Sequence, residues 1–163
     1  WYQRRVRGNM ARTYSKGHGK SGSCLPYVRK PAAWSKKTSE EIVQTILALA
    51  KKGMMPSRIG AVLRDQHAVG LVNHYTGSRV TRILRANQLA PEIPEDLYFL
   101  VKRAVQMRKH LERNPRDVCT MHHLILIESR IHRLVRYYKS TQAVPATFRY
   151  QSKNAAALLA SFA

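Results

Sequence analysis

The sequence has few acidic residues for its length. Nine Asp and Glu stand against 29 Lys and Arg in 163 residues, which gives a formal net charge of +20. A compact domain holds such a charge only against its own repulsion, so we expect a polyanionic partner. The first acid is Glu40 and none follows Glu128. The chain is therefore expected to have cationic ends around a mixed-charge centre.

Cysteine and long apolar runs are also scarce. Cys24 and Cys119 permit one disulfide at most, which argues against a cysteine-stapled secreted scaffold and favours a reducing compartment. No apolar run approaches the roughly 20 residues of a membrane span, and no apolar stretch typical of a signal peptide opens the sequence. We expect a cytosolic or nuclear protein that has no membrane partner.

Helix signals divide the chain into four parts. Residues 1–37 are basic and rich in Gly, Ser and Pro, so we expect an extended arm that becomes ordered on its partner. Residues 38–90 contain three short helical patterns: TSEEIVQTILALAKKG, with Thr38 and Glu41 spaced as a capping box, then PSRIGAVLRDQH and SRVTRILRANQL. Residues 91–139 contain two longer patterns. Residues 140–163 form a tail that can include a short helix against a neighbour.

The two longer patterns predict an antiparallel hairpin. Pro94 opens the first helix, Pro115 ends it near Arg113, and the second runs through MHHLILIESRIHRLVRYYK. Each helix has an apolar stripe that the other can bury, comprising Leu97, Leu100, Ala104, Met107 and Leu111 in the first and Leu124, Ile127, Ile131, Leu134 and Tyr138 in the second. The predicted fold class is all-α: three short N-terminal helices packed on a C-terminal antiparallel helical hairpin, with an extended basic N-terminal arm and a C-terminal tail.

Aromatic residues are interleaved with cations along the arm. Five aromatic residues of the arm can stack on bases or dock on the folded domain: Trp1, Tyr2, Tyr14, Tyr27 and Trp34. For Trp34, beside the first helix, we expect docking. The arm residues that we expect to bind the phosphates of a polyanionic partner are Lys16, Lys20, Arg29 and Lys30.

The stretch HLERNPRDVCTMHH, from His110 to His123, contains possible metal ligands. Cys119, His122 and His123 lie near His110 and Asp117, but there is no Cys-x-x-Cys pair and adjacent histidines point to different helix faces. A cysteine close to histidines in sequence is not a nucleophilic dyad unless the fold brings a base to it. We expect no metal, no cofactor, no small-molecule substrate and no enzyme activity.

Two interpretations remain for this stretch. Asp117 can cap the second long helix and Asn114 can close the first, although this does not account for His110. Alternatively, short polar side chains at helix ends can hydrogen-bond base edges and 2′-hydroxyls in the shallow minor groove of RNA. The residues with the size and chemistry for that role are His110, Asn114, Asp117 and Thr120. Composition alone leaves the two interpretations nearly balanced.

Basic helix faces supply further candidates. Opposite the apolar stripe of the last long helix lie Ser129, Arg133, Arg136 and Lys139, which we expect to meet phosphates. Three arginines lie apart from the apolar residues of the third short helix: Arg79, Arg82 and Arg85. The segments PSRIGAVLRDQH and SRVTRILRANQL also resemble a helix-turn-helix, so the alternative hypothesis is a DNA-binding transcriptional regulator.

Several motifs resemble those of one protein family. KKGMMPSRIGAVLRDQH, PEDLY, RKHLERN and LILIESRIHRLVRYYK closely resemble the universal small-subunit ribosomal protein fifteen family in its eukaryotic form, which eukaryotes call ribosomal protein thirteen. LPYVRKPAAW and GHGK are similar to the N-terminal extension of eukaryotic and archaeal members. The similarity covers about residues 10–150 in one register.

The resemblance implies a primary binder of the central domain of small-subunit ribosomal RNA. Such a protein steadies a three-way junction during subunit assembly, supports translation, adjoins other ribosomal proteins and lies near a bridge to the large subunit. It would act in the cytoplasm, with nucleolar assembly in a eukaryote. The bacterial relative uses a His, His, Asp, Ser pattern in a minor groove, and this sequence has His110, Asn114, Asp117 and Thr120 there. The family's Thr-Gly and Gln contacts have no clean counterpart near Glu92 to Leu97.

Overall fold

The computed structural model describes residues 24–160, and these form seven helices and no strand. In chain order the helices are α1 (Ser39–Lys51), α2 (Pro56–His67), α3 (Val72–Thr76), α4 (Val80–Ala86), α5 (Glu95–Arg113), α6 (Val118–Ser140) and α7 (Ala155–Ala160). The all-α prediction is confirmed. The chain divides between Ala90 and Pro91 into an N-terminal unit with α1–α4 and a C-terminal unit with α5–α7. Within residues 24–160, no helix has the length and apolarity of a membrane span.

The first two helices begin where the sequence predicts. Thr38 Oγ1 accepts a hydrogen bond from the Glu41 N–H, Glu41 Oε2 accepts one from the Thr38 N–H, and each is 3.3 Å long. Met55 supplies no side-chain cap to α2, which opens on Pro56, a residue that has no N–H to satisfy. The apolar faces of the unit meet in one core, formed by Ile42, Ile46, Ile59, Leu63, Val69, Ile83 and Leu84.

The N-terminal unit contains one helix more than the three predicted. The additional helix, α3, has five residues, too few to show an apolar period in the sequence. Gly77 ends it at φ +67°, in the left-handed conformation that glycine adopts without strain. Val72 and Tyr75 pack against the core. The segment between α2 and α4 is therefore a structured layer of the unit and not only a loop.

The residues before α1 do not join this core. Trp34 lies in a turn that is closed by a 3.0 Å bond from the Ser35 N–H to the Ala32 carbonyl, and its side chain is exposed. Val72, Tyr75 and Leu89, from later in the chain, pack against the core instead. The prediction that Trp34 docks on the domain is therefore wrong.

Helices α5 and α6 form the antiparallel hairpin. Its most buried side chains are Leu97, Val101 and Ala104 from α5 and Ile127, Ile131 and Val135 from α6. The predicted stripes contain four of these six. Leu100 and Leu134, which the stripes include, are only partly buried, while the adjacent Val101 and Val135 lie in the core. The contacting faces are thus centred slightly further round each helix than the sequence pattern indicates.

Polar pairs join the two long helices at both ends of the hairpin. Arg108 Nη2 donates to Glu128 Oε1 near the corner, and the Tyr138 hydroxyl donates to Asp96 Oδ2 at the open end. In each pair the two residues lie at nearly equal sequence distances on either side of Asp117, as the antiparallel register of the two helices requires. Burial, followed by the bond to Asp96, raises the pKa of Tyr138, so its hydroxyl stays protonated and continues to donate.

The residues after α6 return to the hairpin. Tyr150 is buried, with its ring edge-on to His132 at 5.5 Å between centroids, and burial raises the pKa of its hydroxyl. Ala155, in α7, is a further buried member of the hairpin core, and α7 packs against α5. The short helix expected in the tail therefore contacts its own chain.

Candidate nucleic-acid interface

The corner between α5 and α6 consists of residues 114–117. Pro115 disfavours helical geometry at Asn114, whose φ of −127° and ψ of 69° end α5. The Asn114 N–H still bonds to the His110 carbonyl at 2.9 Å, and the Asp117 N–H bonds to the Asn114 carbonyl at 3.2 Å. The chain therefore reverses in a hydrogen-bonded turn between two long helices.

Asp117 is the central acceptor of this corner. Its Oδ1 accepts the Thr120 N–H at 3.0 Å, and its Oδ2 accepts the Thr120 hydroxyl at 2.6 Å. Oδ2 also lies 3.0 Å from Nε2 of His110. The two hydrogen bonds from Thr120, followed by the one from His110, lower the pKa of Asp117 to about 2. The carboxylate of Asp117 is therefore ionised at neutral pH. It caps α6 through the Thr120 N–H and also binds the side chains of Thr120 and His110.

His110 and Asn114 complete the arrangement. Asn114 Nδ2 lies 3.3 Å from the His110 carbonyl oxygen and 3.4 Å from Nδ1 of the same histidine. The tautomer with hydrogen on Nε2 fits these contacts, because Nε2 then donates to Asp117 while Nδ1 accepts from Asn114. The four residues predicted for the corner thus form a single corner network (His110, Asn114, Asp117 and Thr120). The structure also gives His110 the structural role that helix capping alone did not supply.

The corner network keeps hydrogen-bonding capacity for an external ligand. The side chains of His110 and Asp117 are 48% and 33% exposed. Thr120 Oγ1, which donates to Asp117, keeps lone pairs that can accept. Among residues 24–160, none donates to Oδ1 of Asn114. The corner therefore presents acceptors and an imidazole whose positions are fixed by two helix ends.

The remaining possible ligands of this stretch do not assemble into a metal site. His123 Nδ1 lies 2.8 Å from the Cys119 carbonyl oxygen, and the rings of His122 and His123 meet edge to face at 6.1 Å. The Cys119 thiol is exposed. In the described part of the chain, no three His, Cys, Asp or Glu side chains are grouped as metal ligands would be.

The candidates on α6 differ in what they can offer. Arg133 and Arg136 are exposed, while Lys139 is partly buried. The Ser129 hydroxyl donates to the Ile125 carbonyl at 3.0 Å, so only its lone pairs remain for another partner. The two arginines are consequently the strongest cationic candidates on this face.

The other cationic candidates belong to the N-terminal unit or to the arm. Three exposed arginines lie at the start of α4 or along it: Arg79, Arg82 and Arg85. Two further candidates, Arg29 and Lys30, precede α1 and are exposed. Lys16 and Lys20, like the arm aromatics Trp1, Tyr2 and Tyr14, lie outside the described residues. The five candidates of this group that lie within residues 24–160 are all accessible to a polyanion.

The sequence patterns did not reveal every residue near the corner. Val118, Met121 and Ile125 are exposed apolar residues on α6, and their spacing could have been read as a second, outward stripe. Arg108 and Glu128 brace the hairpin behind the corner. Arg108 and Glu128 lie at nearly equal distances along the sequence from Asp117, and this spacing could have predicted that they pair across the hairpin.

Comparisons with known proteins define the class. A family model described as the ribosomal S13/S15 N-terminal domain matches residues 10–69, and one described as ribosomal protein S15 matches residues 80–158. A relative from Schizosaccharomyces pombe, named small ribosomal subunit protein uS15, is 55% identical over 93% of this chain and all of its own length. Proteins of the same name from Brugia pahangi and Candida albicans are 53% and 50% identical, covering 92% and 93% of this chain and 99% and 100% of themselves. The chain belongs to the uS15 family of ribosomal proteins.

Family membership decides between the two hypotheses drawn from the sequence. The resemblance to small-subunit ribosomal proteins is confirmed. The expectation of no enzyme activity agrees with this family of structural ribosomal proteins. The DNA-binding regulator hypothesis is wrong. Structure explains the error: α3 lies between the two supposed motif helices, and α4, the supposed recognition helix, has only seven residues.

Proposed function

We propose that this chain is a structural constituent of the small ribosomal subunit that binds the central domain of its ribosomal RNA at a three-way junction. In this role it supports subunit assembly and translation. The observation that carries the proposal is the corner network, in which four hydrogen-bonding side chains are held at the ends of two long helices. The family's named relatives are small ribosomal subunit proteins, which supports the same role.

The corner network is suited to the minor groove of an RNA helix. That groove is wide and shallow and displays 2′-hydroxyls and base edges. Asn114 Oδ1 and Thr120 Oγ1 can accept from 2′-hydroxyls or base amino groups, and His110 is exposed beside them. Because Asp117 already fixes His110 and Thr120, little side-chain freedom is lost on binding. The corner thereby sets the register of the protein on the RNA.

Cations outside the corner supply attraction that does not depend on sequence. With a net charge of +20, the chain is expected to release many counterions when it binds a phosphate backbone. The proposed phosphate-binding residues are Arg133, Arg136 and Lys139, with Ser129 as a hydroxyl contact, together with Arg79, Arg82, Arg85, Arg29, Lys30, Lys16 and Lys20. Phosphate contacts position the protein, while the corner gives specificity.

The proposed setting follows from this role. The protein would work in cytoplasmic ribosomes and be incorporated in the nucleolus of a eukaryotic cell. Its partners would be small-subunit ribosomal RNA and neighbouring ribosomal proteins, with a bridge contact to the large subunit.

Footprinting on a central-domain RNA fragment tests the proposal. We expect His110→Ala with Asp117→Asn to weaken binding and to remove protection at the junction more than the loss of one phosphate contact does. The matched control is His122→Ala with Glu112→Gln, which also removes one histidine and one acid close to the corner but leaves the network intact. Circular dichroism verifies that both variants stay helical. Unchanged junction binding by the first variant would reduce the corner to a helix cap.

A salt titration separates phosphate contacts from specificity. Arg136→Gln should lower affinity equally for matched and mismatched junctions, and should reduce the slope of log affinity against log salt by about one. Equal affinity for junction RNA and duplex DNA at moderate salt would contradict specific RNA recognition.

A further inference from the structure

The described part of the arm, residues 24–37, has aromatic side chains that the protein leaves in solvent. Tyr27 is fully exposed, at 101%, and Trp34 is 70% exposed. Neither belongs to the core of the N-terminal unit or packs against it. A large exposed ring in water is costly, so a ligand that covers it gains apolar burial.

The charges around these rings indicate what kind of ligand covers them. Residues 24–37 contain four cations, Arg29, Lys30, Lys36 and Lys37, and no acid. Aromatic rings set among cations are the combination by which proteins hold unpaired nucleic-acid strands, because bases stack on the rings while cations bind the backbone. An apolar protein surface would account for the rings but not for the unbroken positive charge.

A side-chain hydrogen bond, a turn and two prolines limit the conformational freedom of this segment. Lys37 Nζ donates to Nδ1 of His67, at the end of α2, across 2.8 Å, and this ties the segment to the N-terminal unit. Trp34 lies three residues before that tie, in the turn between Ala32 and Ser35. Pro26 and Pro31 fix their own φ angles. The rings are thus presented on a short, partly restrained segment, which lowers the entropy cost of binding.

We propose that Tyr27 and Trp34 are base-stacking residues that bind unpaired bases of RNA, with Arg29 and Lys30 on the adjoining phosphates. The inference rests on the proposed function and extends it. The arm would bind single-stranded or unstacked RNA, whereas the corner network would bind the minor groove of an RNA helix. Sequence-tolerant stacking then adds affinity without adding base specificity.

Fluorescence of the full chain tests this directly. The chain has two tryptophans, so Trp1→Phe leaves Trp34 as the sole tryptophan reporter. We expect its emission to be quenched by a single-stranded RNA oligonucleotide and by the central-domain fragment, but not by a blunt duplex of the same sequence. Gel shifts measure binding independently. Unchanged Trp34 emission when the single strand is saturated would overturn the inference. If the chain bound the single strand but not the junction fragment, the proposed function would be overturned. The single-strand result would then still test whether Trp34 stacks on bases.

Paired variants separate stacking from apolar contact. Tyr27→Leu with Trp34→Leu keeps apolar bulk but removes both π faces, and we expect it to weaken single-strand binding about tenfold or more. Tyr27→Phe with Trp34→Phe should keep most of the affinity. Equal affinity of the leucine and phenylalanine variants would contradict stacking. A benzophenone amino acid at position 34 in assembled subunits should cross-link to RNA, and cross-links to protein alone would overturn the inference in favour of a protein partner.

Discussion

Nε2 of His110 lies 3.0 Å from Oδ2 of Asp117, so the last turn of α5 is joined to the first residue before α6 across the corner. The two residues are seven positions apart in sequence. Asp117 at the same time holds Thr120 through both its backbone and its hydroxyl. The corner is therefore closed by its own side chains before any ligand arrives.

The lowered pKa of Asp117 predicts an acid-sensitive corner. The folded pKa is about 2 and the ordinary value is 3.8, so the contribution of the carboxylate to stability is complete above 3.8 and is lost as the pH falls through about 2. We expect Asp117→Asn to lower the free energy of unfolding at neutral pH, and the difference from the parent to shrink towards pH 2. Urea unfolding at several pH values measures it. Glu112→Gln, an exposed acid in the last turn of α5, is the control, and an equal Asp117→Asn effect at both pH extremes would contradict the assignment.

The ion pair of Arg108 with Glu128 should stabilise the hairpin. Their side chains are 33% and 24% exposed, so Glu128→Gln leaves a partly desolvated guanidinium without its carboxylate. We expect a loss of about 1–3 kcal/mol in the free energy of unfolding, measured by urea titration. Asp65→Asn breaks the well-exposed pair with Arg64 and should cause no measurable change. Similar effects of the two substitutions would show that burial is not the cause.

Tyr150 should make the segment after α6 part of the hairpin core. Removing its buried ring with Tyr150→Ala is expected to cost about 3 kcal/mol or more of unfolding free energy, because the cavity lies beside α6. Its hydroxyl is buried and has no partner among the described residues, so Tyr150→Phe should be neutral or stabilising. Thermal unfolding of both variants is the measurement. A small effect of the alanine variant would mean that this segment is detached in solution.

Two glycines should respond oppositely to the same substitution. An added Cβ meets nothing within 4 Å at Gly60 or at Gly77, so crowding does not distinguish them. Gly77 has φ +67° and Gly77→Ala should destabilise the protein by about 1 kcal/mol through backbone strain. Gly60 lies inside α2, where alanine should stabilise by about 0.5–1 kcal/mol. Chemical denaturation of both variants tests the pair, and equal signs would contradict the conformational argument.

Local features of the fold were predictable from the sequence. The capping box of Thr38 and Glu41 lies within one helical turn, and Pro115 ends α5 through its immediate neighbour. In contrast, α3 and the burial of Tyr150 depend on packing against residues far away in sequence. No local pattern encodes such contacts.

The candidate site shows the same division. The identities of the corner residues follow from composition and from the family resemblance. The bond between His110 and Asp117 does not, because it depends on the angle at which α5 and α6 meet. The exposure of Trp34 was likewise unpredictable, because residues later in the chain pack against the core in its place. The arm sequence carries no information about those residues.

The length of α6 separates the corner network from the proposed phosphate-binding residue at its other end. At about 1.5 Å per residue, its capping Asp117 and its last lysine, Lys139, are roughly 33 Å apart. That distance is about four times the screening length of physiological salt, near 8 Å. Charges at one end therefore have almost no influence on ions gathered at the other. We therefore expect salt to weaken the proposed phosphate binding at the Lys139 end while the hydrogen-bonding geometry of the corner stays unchanged.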